Sequence, residues 1–299
     1  ADGGSLITSV GLRQGAVWVR DAAGERQVST EGFATLPATQ PGSVFSPDGK
    51  ELYYLVRRGP ARGFSSGELW VAHLDTGRAE RLLPDMAVTG YAVSADGKQM
   101  VFAALDAGSR TQLWLSPVDR RSSPRQLPAL DADSPLFGPG GDLFFRAAEG
   151  QSNFLYRMNP DGSGRRKALP DPILHFYSLS PDGEWIVVDA ALPGQQGTGR
   201  LTYPARGGPP TWNGDIRWYP DGKRLLLKVA PGPMGAGGSF VIPIRPGQPL
   251  PSPPASEKEL GSGALKITDR ASIYPGPDPS IYAFARETVQ RKLYRIPLP

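Results

Sequence analysis

One short corner returns again and again along this chain, and it limits the possible folds more than any other feature. It reads Ser46-Pro47-Asp48-Gly49-Lys50, Ser94-Ala95-Asp96-Gly97-Lys98, Gly138-Pro139-Gly140-Gly141, Ser180-Pro181-Asp182-Gly183 and Tyr219-Pro220-Asp221-Gly222-Lys223. Ala1-Asp2-Gly3 and the degenerate Gly276-Pro277-Asp278-Pro279 extend the series at its two ends. The mean spacing is about 46 residues, in the range of propeller blades or solenoid units. Each residue type has a reason to be there. Proline fixes φ at the first corner, aspartate accepts from nearby backbone N–H groups, and glycine takes the left-handed position.

Short apolar runs follow the corners: Leu52-Tyr53-Tyr54-Leu55-Val56, Met100-Val101-Phe102, Leu143-Phe144-Phe145, Trp185-Ile186-Val187-Val188 and Leu225-Leu226-Leu227. Their β-branched and aromatic content and their length are those of strands. An apolar–aromatic pair lies 16 to 22 residues past the aspartate position: Val17-Trp18, Leu69-Trp70, Leu113-Trp114, Leu155-Tyr156 and Leu293-Tyr294. Tyr203 and Phe240 stand near this place in two further units. Asp75-Thr76-Gly77 and Asn159-Pro160-Asp161-Gly162 read as hairpin turns before a last strand. Thirty-seven glycines and 32 prolines leave little room for long helices, while 39% hydrophobic residues argue against disorder.

One unit is therefore four antiparallel strands, and such a sheet cannot cover both its faces alone. Stacking copies radially solves this, which is the plan of a β-propeller. The aromatics then form the core between blades. The reading is an all-β fold, a single propeller domain over residues 1–299, with a Pro-, Ser- and Gly-rich loop insertion at 246–263. Counting the corners favours seven blades, with six, the termini sharing one blade, as the alternative.

These Ser-Pro-Asp-Gly-Lys turns, followed by an apolar strand and a Leu-Trp strand, resemble the PD40 (WD40-like) repeats of TolB-like propellers. Segments such as Ala16-Val17-Trp18-Val19-Arg20-Asp21, Gly67-Glu68-Leu69-Trp70-Val71-Ala72 and Leu293-Tyr294-Arg295-Ile296 are similar to the C-terminal propeller of bacterial membrane-spanning serine/threonine kinases. That resemblance implies an extracytoplasmic sensor domain, periplasmic or at the cell surface, within a longer membrane-anchored polypeptide. The kinase signatures themselves do not occur in the chain.

Several chemistries fall away. The formal net charge is +4, but the basic runs are mixed with acids, as in Asp119-Arg120-Arg121, so a nucleic-acid footprint is not expected. Without cysteine there is neither a disulfide nor a thiolate metal site. No apolar run approaches the ~20 residues of a membrane helix, and no secretory leader opens the sequence. The chain reads as soluble, with any export signal or anchor upstream. Gly63-Phe64-Ser65-Ser66-Gly67 matches a hydrolase pattern but precedes a strand, where the chemistry needs a strand-to-helix elbow. Two histidines, His73 and His175, cannot make a three-imidazole metal site. Neither a metal nor a cofactor is expected.

What remains lies in the links that lead into innermost strands, because these rim one mouth of the central channel. They carry Asp131 and Asp133, His175, and Trp212, Asn213 and Asp215 ahead of Arg217. Converging there, they would offer carboxylates, an imidazole, an indole and an amide to a peptide, glycan or protein. The expectation is a non-catalytic binding propeller. The alternatives are a hydrolase or lyase pairing His175 with Asp133 or Asp215, and a scaffold of a cell-envelope assembly.

Overall fold

The computed structural model describes all residues except 1–4, 31, 36–43, 58–65, 230–236, 246–249, 251–256, 261–262, 271 and 298–299. It contains six sheets of four antiparallel strands. The chain opens with β1 (Ser5–Asp21) and β2 (Gly24–Gln27), the outer strands of what becomes blade 6. Blade 1 holds β3 (Phe33–Thr35), β4 (Glu51–Arg57), β5 (Glu68–His73) and β6 (Ala79–Arg81). Blade 2 holds β7 (Ala87–Val93), β8 (Gln99–Leu105), β9 (Thr111–Pro117) and β10 (Arg125–Leu130). Blade 3 follows with β11 (Ala132–Phe137), β12 (Leu143–Glu149), β13 (Ser152–Met158) and β14 (Arg166–Lys167). Blade 4 comprises β15 (His175–Leu179), β16 (Trp185–Ala191), β17 (Thr198–Pro204) and β18 (Trp212–Asn213). Blade 5 comprises β19 (Ile216–Trp218), β20 (Arg224–Val229), β21 (Gly238–Pro243) and β22 (Leu265–Thr268). Finally β23 (Tyr274–Pro275) and β24 (Tyr282–Pro297) supply the inner strands of blade 6.

Six blades, not seven, thus form the ring. The first and last units of the sequence are halves of one sheet, ordered β23-β24-β1-β2. Pairing them gives each half the strand neighbour that it would otherwise lack. The corner at Asp2 lies outside the described residues. A second correction concerns Leu293 and Tyr294, expected as core. They belong to the far part of β24, where Leu293 is 77% and Tyr294 46% exposed. Of the 246–263 insertion, Glu257–Leu260 forms one 3-10 turn between β21 and β22, and most of the rest lies outside the described residues. Among the described residues no helix is long and apolar enough to cross a membrane.

The corners join first to second strands and show why the motif recurs. The glycine N–H donates to the residue three before it, at 2.9 Å from Gly49 to Ser46 and 2.8 Å from Gly183 to Ser180. The Ser46 hydroxyl donates to Asp48 at 2.6 Å and accepts from the Glu51 N–H at 2.9 Å. Asp48 in turn accepts from Lys50 N–H at 3.1 Å, and the Ser94 and Ser180 corners repeat the pattern. The corners also touch one another. A Cβ built on Gly49 would lie 2.7 Å from Pro277 of blade 6, and one on Gly183 the same distance from Pro139 of blade 3. In blades 1, 2, 4 and 5 the corner glycine therefore seats the preceding blade's proline, and Gly49 on Pro277 links the last blade to the first. Gly141 meets nothing within 4 Å, because the preceding corner carries Ala95 instead of proline.

Apolar clusters join every pair of neighbours. Phe145, Phe176 and Val101 belong to a core that runs from blade 2 to blade 4. Tyr53 and Tyr91 pack between blades 1 and 2, with the Tyr91 hydroxyl donating to the Tyr53 carbonyl at 2.7 Å. Val187 with Leu225 joins blades 4 and 5, Tyr219 with Phe284 joins 5 and 6, and Val17 with Tyr54 joins 6 and 1. Strand alternation aims successive side chains at opposite neighbours, so each blade contributes to two cores.

Candidate functional site

Corners occupy one face of the ring. The opposite face carries the starts of innermost strands, the ends of second strands and the starts of third strands. In blades 1 and 2 the second strands stay apolar as far as Val56 opposite Ala34 and Ala104 opposite Val88, and charge enters beyond them, at Arg57, Glu68 and Asp106. Blades 3 to 5 are different, because their second strands meet charge earlier, at Arg146, Asp189 and Lys228.

Cross-strand register brings these groups together. Asp133 stands opposite Arg146, and His175 opposite Asp189, which in turn stands opposite Arg200. Arg146 donates to both oxygens of Asp133, with its Nε 2.8 Å from Oδ1, and also to the Leu174 carbonyl of blade 4. The hydrogen bonds it donates to Asp133, against the penalty of burial, raise the arginine above its usual range. Asp189 accepts from the Tyr177 hydroxyl at 2.7 Å and from Arg200 Nε at 3.2 Å, and His175 Nδ1 lies 3.4 Å away.

Arg200 extends the chain into blade 5. Its Nη1 lies 2.6 Å from Asp215 Oδ1, and Lys228 Nζ is 3.8 Å from the other oxygen of that carboxylate. Its guanidinium sits 3.4 Å from the centre of the Tyr177 ring. Burial works against its charge, but Asp215, Asp189 and Tyr177 together hold it above the usual arginine range. Burial, then the Asp189 carboxylate, pushes the Tyr177 hydroxyl up to about 12. Arg217 lies over the Tyr274 ring at 4.1 Å. A polar recess of about 20 Å³ beside Asp215, Arg217, Lys228 and Ser239 has room for a single water.

The structure therefore places Asp133, His175, Asp215 and Arg217 at this mouth. Asp131 is there too, but exposed, in a left-handed conformation at φ 49°, and without a side-chain partner among the described residues. Trp212 and Asn213 are placed elsewhere than expected. They form β18, the outermost strand, opposite Thr202 and Leu201, because backbone pairing draws them into the sheet before the link begins. A stacking role at the mouth does not follow from that position. The His175 pairings foreseen for catalysis are not formed either, since Asp133 is held by Arg146, and Asp215 by Arg200 and Lys228.

Sequence reasoning missed Arg146, Tyr177, Asp189, Arg200 and Lys228. The available signal was a charge breaking an apolar strand, as in Leu143-Phe144-Phe145-Arg146 and Ile186-Val187-Val188-Asp189. On the corner face, His73 lies 3.2 Å from Glu51 and 3.7 Å from Glu80, in a cleft of about 880 Å³ between blades 1 and 2. Ser65 of the hydrolase-like pattern lies outside the described residues. Among the described residues no three carboxylate or imidazole groups are placed to hold a metal ion.

No protein-family model matches the chain, and no curated protein matches it in sequence. Solved structures do match in shape. Putative TolB from Agrobacterium tumefaciens aligns with a TM-score of 0.61 at 16% identity, over 93% of this chain and 99% of that one. TolB from Acinetobacter baumannii gives 0.53 at 17%, over 77% of this chain and 61% of that one. A chain of the nidogen/laminin complex gives 0.50 at 12%, over 77% and 89%. At such identities the likeness concerns architecture alone. The chain has the fold of a β-propeller whose architecture is similar to that of the TolB structures.

Proposed function

We propose that this propeller is a non-catalytic recognition module that binds a protein, peptide or glycan segment across the mouth of blades 3 to 5. The observation that carries the reading is the continuous run of paired charges from Asp189 through Arg200 to Asp215 and Lys228, with Asp133 and Arg146 beside it. Its members hold one another in fixed positions, so donors and acceptors are preorganised before a ligand arrives. His175 and Lys228, about half exposed, stand on the open side where a ligand would first touch. Arg200, stacked on Tyr177 and bridging Asp189 and Asp215, fixes the spacing of the two carboxylates across the blades. The matching chain of the nidogen/laminin complex, of like architecture, was solved in a protein–protein complex, which accords with a protein partner.

At the finer level we place the domain outside the cytoplasm, as the sensor of a bacterial receptor kinase. That placement rests on the resemblance of its repeats to such kinases. A scaffold role in a cell-envelope assembly would use the same mouth.

The test is a thermal-shift screen of the purified chain against envelope peptides, peptidoglycan fragments and glycans, repeated with Arg200→Gln. A ligand that binds only the folded state raises the melting temperature. A shift in the wild type that Arg200→Gln reduces to that of a roughly tenfold weaker ligand supports the proposal. If no compound shifts the melt, or every shift survives undiminished in the variant, the mouth is not the recognition surface.

A further inference from the structure

β1 and β24 do not stop where blade 6 stops. β2 ends its pairing at Trp18 and β23 at Ala283, yet β1 and β24 stay in register from Ala16 opposite Arg286 out to Ser5 opposite Pro297. Twelve further residue pairs give a two-stranded ribbon about 40 Å long at ~3.3 Å per residue. It leaves blade 6 where the other blades connect their second and third strands, and so stands on the mouth side of the ring.

A two-stranded ribbon is marginal on its own, and among the described residues no third strand pairs with either edge. It exposes Leu293, Tyr294 and Ile296, at 77%, 46% and 46%. It also concentrates charge. Its sequence holds Arg13, Arg286, Arg291, Lys292 and Arg295 against a single acid, Glu287. That excess of four equals the formal net charge of the entire chain, so the remaining residues balance to zero. Arg286 is tied to Glu25 at the root, and the other four cations lie farther out.

Three kinds of occupant can be compared. A second copy would bring like charges together, at a cost. A lipid surface would require one apolar face. Here exposed Leu293 stands in the same row as Arg291 and Arg295, while Tyr294 and Ile296 occupy the other row. Lipid would also leave the edge N–H and C=O groups without partners. An extended acidic segment meets all three demands, since it supplies strand hydrogen bonds, opposite charge and apolar cover. We infer that this ribbon is a strand-addition site for an acidic, partly apolar segment of a partner protein. It is a surface separate from the charged mouth, and does not depend on what the mouth binds.

The test uses the whole chain and labelled twelve-residue peptides that alternate Val and Thr with Glu, or with Lys in their place. The Glu peptide should bind, more weakly as salt rises, and slow amide exchange in residues 5–16 or 286–297 at least tenfold. The Lys peptide should not bind. N-methylation of alternate Glu-peptide residues keeps the charge but removes strand donors, and should weaken binding at least tenfold. Joint replacement Arg291→Glu, Lys292→Glu and Arg295→Glu should do the same, with the propeller's melting temperature unchanged. Equal binding of both peptides, undiminished binding of the N-methylated one, or unchanged ribbon exchange would overturn the inference. So would preferential binding to phosphatidylglycerol vesicles, or ribbon protection by self-association in sedimentation.

Discussion

At the corner face the blades repeat one another, whereas at the mouth no two blades carry the same side chains. The corner groups serve the ring itself. Ser46, Asp48 and Gly49 satisfy their own turn, and the glycine receives the neighbouring proline. A function that the blades share leaves similar residues in most of them. At the mouth, the second strands of blades 1 and 2 place Leu55 and Ala103 where blades 3 to 5 place Arg146, Asp189 and Lys228. The charges there stabilise no repeated element. They form one asymmetric chain, and asymmetry is what recognition of a particular ligand requires.

Substitutions on the two faces should separate stability from binding. The largest effect is expected at a corner. Gly49→Ala puts a methyl group at positive φ and 2.7 Å from Pro277, and should cost about 2 kcal/mol in chemical denaturation. Binding at the mouth should stay unchanged in that variant. A loss of affinity equal to that of a mouth variant would erase the distinction between faces.

Arg200→Gln should do the reverse. It removes the group joining Asp189 to Asp215, and ligand affinity should fall about tenfold, equivalent to ~1.4 kcal/mol. Its melting temperature should drop less than that of Gly49→Ala, as calorimetry would show.

A smaller effect concerns acid. The hydroxyl of Ser46 and the N–H of Lys50 hold the Asp48 carboxyl below its ordinary value. A folded-state pKa below the unfolded one means stability that is present above the ordinary carboxylate value of ~3.9 and is lost as pH falls through the folded value. Wild type should therefore melt above Asp48→Asn at pH 7, and the gap should close as the pH is lowered past that range. A constant gap from pH 7 to pH 2 would remove the carboxylate from the explanation.

The smallest effect should be a gain. Ala95→Pro restores the missing proline beneath Gly141, and should stabilise by about 0.5 kcal/mol if the corner geometry is general. A loss of stability in urea titrations would show that the blade 2 corner differs from the others.

Much of the fold was legible because its cause is local. Pro-Asp-Gly corners dictate their own turns, and apolar runs after them dictate strands, so the four-stranded unit follows from neighbouring residues. The blade count was not legible that way. Nothing near Ser5 or Tyr282 announces that the two segments will pair, so the two end units, halves of one sheet, counted as two and left seven blades favoured over the six, with shared termini, that the structure has. The Leu293-Tyr294 pair misled for the same reason, since it looks like Leu69-Trp70 but has no neighbouring blade to cover it.

The site divides along the same line. Links into innermost strands pointed to Asp133, His175, Asp215 and Arg217, because position in a repeat is a sequence property. Their partners were set by register across strands and by contact across blades, as with Arg200, which belongs to blade 4 yet grips Asp215 ahead of blade 5. Sequence by itself determined the repeating sheet and which end of it carries variable chemistry, since both follow from short-range turn and strand preferences. Only the tertiary structure decided that six blades close the ring, which charges meet, and that one basic ribbon stands clear of it. Those outcomes depend on hydrogen bonds and ion pairs between residues far apart in the chain, and local preference carries no information about them.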